Sequence, residues 1–216
     1  MTGKQRFRII IDSFMTVLSI VLMGGTFLFP DERVHQILGM TLIALWICHT
    51  ILNRRWFGSM FKGMFTPYRV VQLVVNLGIS LCALLVMTSG LMMAWFVPAE
   101  LTGGGTEVAR TVHLASSHWY FVFMGVHLGM HVGMIFSRLK ISRSNVFRVI
   151  VGIVSVYGVY AFIARGVWKY MFLLQQFYFF DFERGYVLFA VDYISMLVMV
   201  ASVVHCIRMG TRFFSK

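Results

Sequence analysis

Residues 35–49 read HQILGMTLIALWICH and residues 113–127 read HLASSHWYFVFMGVH. Each stretch opens and closes on a histidine, lacks any Asp, Glu, Lys or Arg, and spaces its terminal histidines by the same fourteen residues. At about 100° per residue, fourteen helical steps fall about 40° short of four full turns, so both imidazoles of a pair share one helix face. At about 1.5 Å of rise per residue they sit ~21 Å apart along the axis, most of the way through the ~30 Å hydrocarbon core of a bilayer. Two such helices side by side form two facing His–His pairs, one near each membrane surface. A haem iron with two axial imidazoles needs that arrangement. The spacing therefore predicts a membrane di-haem b-type cytochrome, with His35, His49, His113 and His127 on the two irons.

Composition points the same way. Of 216 residues, 59% are apolar and 12% charged, and the mean hydropathy is +0.80. A soluble domain needs polar outer helix faces and could not hide so much apolar side chain. Long uncharged runs recur along the whole length, so residues 1–216 read as a single transmembrane domain, all-α. Cys48, Cys82 and Cys206 all fall inside apolar runs, as small packing residues would. There is no CxxCH sequence, which excludes covalent c-type attachment on this chain and makes both haems non-covalent haem b. The formal net charge of +11 sits in short loops between apolar runs. It reads as a topology signal, not a nucleic-acid surface.

Six spans are expected, at about 9–29, 34–52, 70–97, 111–136, 146–164 and 186–207. The first is long for a signal peptide and lacks a clear small-residue cleavage site, so it reads as a retained helix, with Asp12 an interfacial charge. Arg54, Arg55 and Trp56 close the second span as a basic, aromatic anchor. Residues 103–105 are three glycines in a loop without the strand-turn-helix context of a phosphate loop. The aromatic run 168–182 either extends the fifth helix or lies in the interface. Six spans put both termini on one side of the membrane. That side, counting the basic loops 54–69 and 137–148, holds fourteen of the nineteen Lys and Arg residues, so both termini are expected in the cytoplasm.

In that topology the second and fourth spans run the same way, and parallel helices put equal sequence offsets at equal depth. His35 to His113 is 78 residues, and so is His49 to His127. The outer pair is therefore His35 with His113 and the inner pair His49 with His127. Ionisable groups in lipid are costly and usually functional. Zinc fits worse than haem, because its ligands must converge within about 2 Å of one ion. His131, one turn beyond His127, competes as the inner ligand, but its eighteen-residue spacing from His113 matches the second span poorly. His118, about 140° round the helix from His113, faces a quinone pocket, a propionate or another helix. His205 reads as structural or propionate-facing. Gly39 and Gly125 offer room for a flat porphyrin, a role they share with ordinary helix contacts. Arg33 and Arg110 near the outer ligands, and Arg54 and Arg55 near the inner end, are placed to neutralise propionates or to anchor the interface.

With those residues in view, the chain resembles the flavinylation-associated cytochrome family of bacterial membrane proteins. The resemblance rests on HQILGMTLIALWICHTILNRRWF, TSGLMMAW and HLASSHWYFVFMGVHLGMH, within residues 7–136, and more loosely on FAVDYISMLVMVASVVH. It implies a multi-pass protein of the bacterial cytoplasmic membrane that passes electrons to a flavin-bearing partner outside that membrane. The family's paired histidines map onto His35, His49, His113 and His127, with His131 a further match. The chain carries no obvious Ser/Thr flavin-attachment motif, so that flavin is expected on the partner.

Three other functions fit parts of the pattern. A haem anchor subunit of a respiratory dehydrogenase would exchange electrons with quinone near His118, His205 or Asp192. A ferric-reductase-like enzyme would reduce metal directly. A transporter or assembly factor would use the histidines to bind substrate or to pass haem along. The expectation is a redox carrier or oxidoreductase subunit, with a quinone or a cytoplasmic-side protein as electron donor.

Overall fold

The computed structural model describes residues 3–60, 62, 64–138 and 144–214, and every regular element among them is a helix. The middle of the basic loop 137–148 and the tips of the basic head and tail lie outside the described residues. Helix α1 spans Gly3–Leu22, α2 Glu32–Leu52, α3 Arg54–Ser59 and α4 Pro67–Met92. They are followed by α5 Ala99–Thr102, α6 Thr106–Arg138, α7 Asn145–Ala164, α8 Val167–Met171 and α9 Gly185–Phe214. Four helical stretches are long and apolar enough to cross a membrane: Glu32–Leu52, Pro67–Met92, Asn145–Ala164 and Gly185–Met209. That is two fewer than the sequence reading expects. Helix α1 carries Lys4, Arg6, Arg8 and Asp12, and α6 carries four histidines beside Ser116 and Ser117, which lowers the hydropathy of both.

Local chemistry explains the helix ends. Helix α1 stops at Leu22, short of the expected residue 29. The chain then makes a 3₁₀ turn over Gly25–Leu28, in which Gly25 has φ +63°. That left-handed conformation suits glycine. Asp31 caps α2 by accepting from the Arg33 N–H at 2.8 Å, with Glu32 in the first turn against the positive helix end. Thr66 caps α4 ahead of Pro67, which needs no intrahelical donor at that position. Helix α4 ends at Met92, before the expected residue 97. There the Trp95 N–H leaves the helix ladder to donate to Gln36 Oε1 at 2.9 Å. Arg33 lies over the Trp95 ring at 5.3 Å from its centre, tying the start of α2 to the end of α4.

Pair contacts fix the helix directions. Arg8 donates to the Leu52 carbonyl and Asp12 meets His49, so α1 and α2 are antiparallel. Asn76 meets His127 and Val86 meets His113, so α4 and α6 are antiparallel. Gly125 faces Leu197 and Val200 while Gly129 faces Ala201 and Val204, so α6 and α9 are parallel. Arg165 meets Asp192 and Gly158 meets Met199, so α7 opposes α9. The six long helices thus alternate in direction along the chain. Small residues allow the closest approaches: a Cβ at Gly158 would lie 2.4 Å from the Ser195 carbonyl oxygen. The core gathers Ala83, Phe121, Ala161, Val167, Tyr193 and Met196 between α4, α6, α7, α8 and α9. Opposite faces leave Val156, Ile163 and Val187 open, as lipid-facing positions are.

A polar knot lies in this otherwise apolar packing. Asp192 is fully buried, accepts from Arg165 Nε at 2.8 Å and from the Tyr157 hydroxyl at 2.6 Å, and has Arg184 3.5 Å away. A buried carboxylate so paired is a structural tie between α7 and α9, and removing one partner of such a pair costs about 3–5 kcal/mol.

Candidate cofactor site

The two histidine helices have their main packing partners elsewhere. Among the described residues α2 packs on α1 and lightly on α4, whereas α6 packs on α4, α8 and α9. Between α2 and the rest of the bundle lies a cavity of about 730 Å³, within the range of small-molecule and cofactor sites. Its walls include His35, Gly39, Gly90, Arg110, His113 and His118. A Cβ added at Gly39 would meet nothing within 4 Å, so this face of α2 is open. At Gly90 a Cβ would come 3.2 Å from His113 Cε1, so α4 needs a glycine there for the ring to keep its place.

Across this cavity the His35 and His113 ring centres are 6.4 Å apart, with their planes at 68°. A metal held by two imidazole nitrogens at about 2.0–2.1 Å each, with ~1.1 Å from each nitrogen to its ring centre, separates the centres by ~6.3 Å. The His35–His113 pair thus has the spacing of two imidazoles on one metal. Two helices held apart by a cavity, with open or glycine-lined walls and two imidazoles at that distance, fit a planar tetrapyrrole.

The bonds to the other ring nitrogens determine which lone pairs are free. The His113 Nδ1–H donates to the Val86 carbonyl at 3.0 Å, and Ser89 Oγ accepts from it at 3.2 Å. Ser89 is held in that role because its own hydroxyl donates to the Leu85 carbonyl. The His127 Nδ1–H donates to Asn76 Oδ1 at 2.9 Å. The His49 Nδ1–H donates to Asp12 Oδ1 at 2.7 Å. The Asn53 amide lies 3.4 Å from His49 Nε2, but its better bond goes to the His49 carbonyl at 2.9 Å. In all three rings the proton sits on Nδ1, which leaves the Nε2 lone pair available to a metal, the usual outer-shell pattern behind a metal-bound histidine. His35 differs. Its Nδ1 is buried with no hydrogen-bond partner, and the Gly25 backbone lies beside the ring.

At the inner end, His49, His131 and Asp12 are all close enough to His127 to act on its charge. The His127 and His131 rings are 4.8 Å apart. His127 has an anchored tautomer through Asn76, and among the described residues no such bond holds His131. Among the described residues no three His, Cys, Asp or Glu side chains converge on one ion.

The other sequence candidates are distributed as follows. Arg110 lines the cavity, whereas Arg33 is engaged with Trp95 at its rim. Arg54 and Arg55 begin α3 and are exposed. Gly125 lies against α9, where a Cβ would be 2.9 Å from Val200, so its role is helix packing and not porphyrin approach. His118 forms part of the cavity wall, stacks on Tyr170 at 4.6 Å and donates from Nδ1 to the Leu114 carbonyl. Its Nε2 is buried with no partner. Burial raises the Tyr178 phenol above its ordinary range, so at the cavity wall it remains an O–H donor. Asp192 is committed to Arg165 and Tyr157. Sequence reasoning missed Asn76, Ser89, Gly90 and the Val86 carbonyl, and it read Asp12 as an interfacial charge. For Asn76 and Asp12 the available signal was an amide and a carboxylate within apolar helices.

Comparison with protein-family models, curated proteins and solved structures finds no match to this chain.

Proposed function

We propose that this chain is a six-span di-haem b-type cytochrome of a bacterial cytoplasmic membrane, with both termini in the cytoplasm, carrying electrons to a flavin-bearing partner outside it. The observation that carries the reading is the 6.4 Å separation of the His35 and His113 rings across the cavity. The alternation of six long helices and the excess of Lys and Arg on one side support the topology. His35 and His113 would hold the outer haem. His49 and His127 would hold the inner one, with His131 beside it. When bound, the haem supplies one-electron redox chemistry, and the protein supplies ligands, orientation and an apolar sheath. Val86 and Asn76 fix the ring orientations, Gly39 and Gly90 leave room for the flat group, and Arg110 is placed to neutralise a carboxylate at the cavity wall. Donors reach the inner end from the cytoplasm or as a membrane quinone. The partner outside rests on the family resemblance.

The test is vectorial. In sealed vesicles of known orientation, an impermeant reductant on the cytoplasmic face should reduce an impermeant flavin-domain acceptor on the other. His35→Ala should abolish that transfer. Transfer that persists without the outer site, or reduction by added quinol alone, favours instead a quinone-linked anchor subunit.

A further inference from the structure

The two ends of the proposed electron path differ in what holds their histidines, and the difference is one of charge. At the inner end the His49 Nδ1–H donates to a carboxylate, Asp12 Oδ1, at 2.7 Å, and the His127 Nδ1–H donates to an amide oxygen. At the outer end the His113 Nδ1–H donates to a backbone carbonyl and a hydroxyl, both neutral, and His35 Nδ1 has no acceptor. Among the described residues, Asp12 is the one carboxylate bonded to any of these four rings.

A carboxylate that accepts from Nδ1 draws the proton toward itself and makes Nε2 a more basic, more electron-rich ligand. Its negative charge also favours whichever state of a bound iron carries the extra positive charge. Both effects stabilise the oxidised state and lower the reduction potential. The outer pair works in the opposite sense. Its rings lie in an apolar cavity with neutral acceptors, and the Arg110 guanidinium in the wall disfavours added positive charge. Glu32 also lines that cavity, but it is exposed and makes no hydrogen bond to either ring. At the inner end four cations oppose Asp12: Arg54 and Arg55, exposed and screened, Arg8, whose guanidinium donates to the Leu52 carbonyl, and Arg208, whose guanidinium donates to the Met130 carbonyl. Of these charged groups Asp12 is the one in direct hydrogen-bond contact with a ligand ring, at 2.7 Å, and that contact sets the sign of the effect on the ring.

We propose that Asp12, acting through His49, makes the inner His49/His127 site the lower-potential of the two, so that electrons run downhill toward the His35/His113 site and the outer face. This rests on the di-haem reading and adds a direction that the histidine spacing does not contain. Each transfer moves one electron from the inner site to the outer. No bond forms or breaks, and the Nδ1 proton stays on His49. Asp12 is thus a positioning residue, bonded to a ligand and not itself a ligand.

The experiment is a potentiometric titration of the full-length, haem-loaded protein, followed through its visible bands. Two midpoints are expected, and the component that survives in His35→Ala should be the lower one. Asp12→Asn should raise the lower midpoint, changing the oxidised-to-reduced ratio at a fixed ambient potential by about tenfold or more (~59 mV for one electron). It should leave the upper midpoint in place, and Asp12→Glu should restore the lower one. If Asp12→Asn fails to assemble, the His35→Ala assignment and the Asp12→Glu titration still fix the order. A lower midpoint that Asp12→Asn does not move, or a higher potential in the component that survives His35→Ala, overturns the proposal while leaving two haems in place. A protein that takes up no haem removes the underlying reading as well.

Discussion

The inner site turns on three side chains that no local pattern links: His49 on α2, His127 on α6 and Asn76 on α4. The histidines are legible because a polar ring repeated at helical spacing inside an apolar run is costly in lipid, and cost implies purpose. Their partners are not legible, because Asp12 and Asn76 arrive from other helices; at His113 the partner is the Val86 carbonyl, which leaves no mark on the sequence at all. Asp12 is visible as a charge in an apolar helix, yet its target 37 residues away depends on how α1 and α2 pair. On the proposed di-haem reading, the anchored Nδ1–H of His127 favours it over His131 as the inner ligand. His127→Ala should remove the inner haem, and His131→Ala should leave it. Asn76→Ala should weaken it by about 10–100-fold in affinity, the usual cost of losing such a partner. Haem retained in His127→Ala and lost in His131→Ala would reverse the assignment.

Helix pairing decides which glycines matter. Gly39 and Gly125, both near the histidines, look alike in sequence, since absent side chains serve both cofactor approach and helix contact. The structure separates them: Gly39 opens on the cavity, while Gly125 and Gly129 seat α6 on α9. Gly90, on α4, falls within a quoted motif but gains its meaning only from His113 opposite. Substituting these glycines should therefore give two distinct results. Gly90→Leu should displace the His113 ring and cost the outer haem while the helices still assemble, seen as loss of one haem band with unchanged helical circular dichroism. Gly158→Leu should instead force α7 off α9, because its Cβ would start 2.4 Å from a backbone oxygen, costing about 1–3 kcal/mol or more as overpacking does. That loss should appear in thermal stability. Helix ends were less legible than helix existence. Gly24 and Gly25 cut α1 short through a local left-handed turn, whereas the Gln36–Trp95 bond draws the chain out of α4 through a contact made only after folding.

For the molecule as a whole, the expected six-span topology makes the two histidine helices parallel, and the equal 78-residue offsets then pair their histidines by depth. The structure sets α2 and α6 in the same direction, with α4 returning between them. That agreement follows from alternating helices of similar length, so the arrangement of the bundle was within reach of the sequence. The cavity was not, because it depends on α2 standing away from α6 while it packs on α1. The pairing of α7 with α9 through Asp192 and Arg165 was likewise hidden, since a lone carboxylate in an apolar helix does not name its partner. The proposed function joins the fold to the site through two bis-histidine positions, and one measurement tests that proposal most directly. Protein purified from cells with ample haem should carry about two non-covalent haems per chain, extractable by acid-acetone, with a low-spin b-type spectrum when reduced. A haem-replete sample that saturates at one haem, or that shows no haem absorbance, would contradict it.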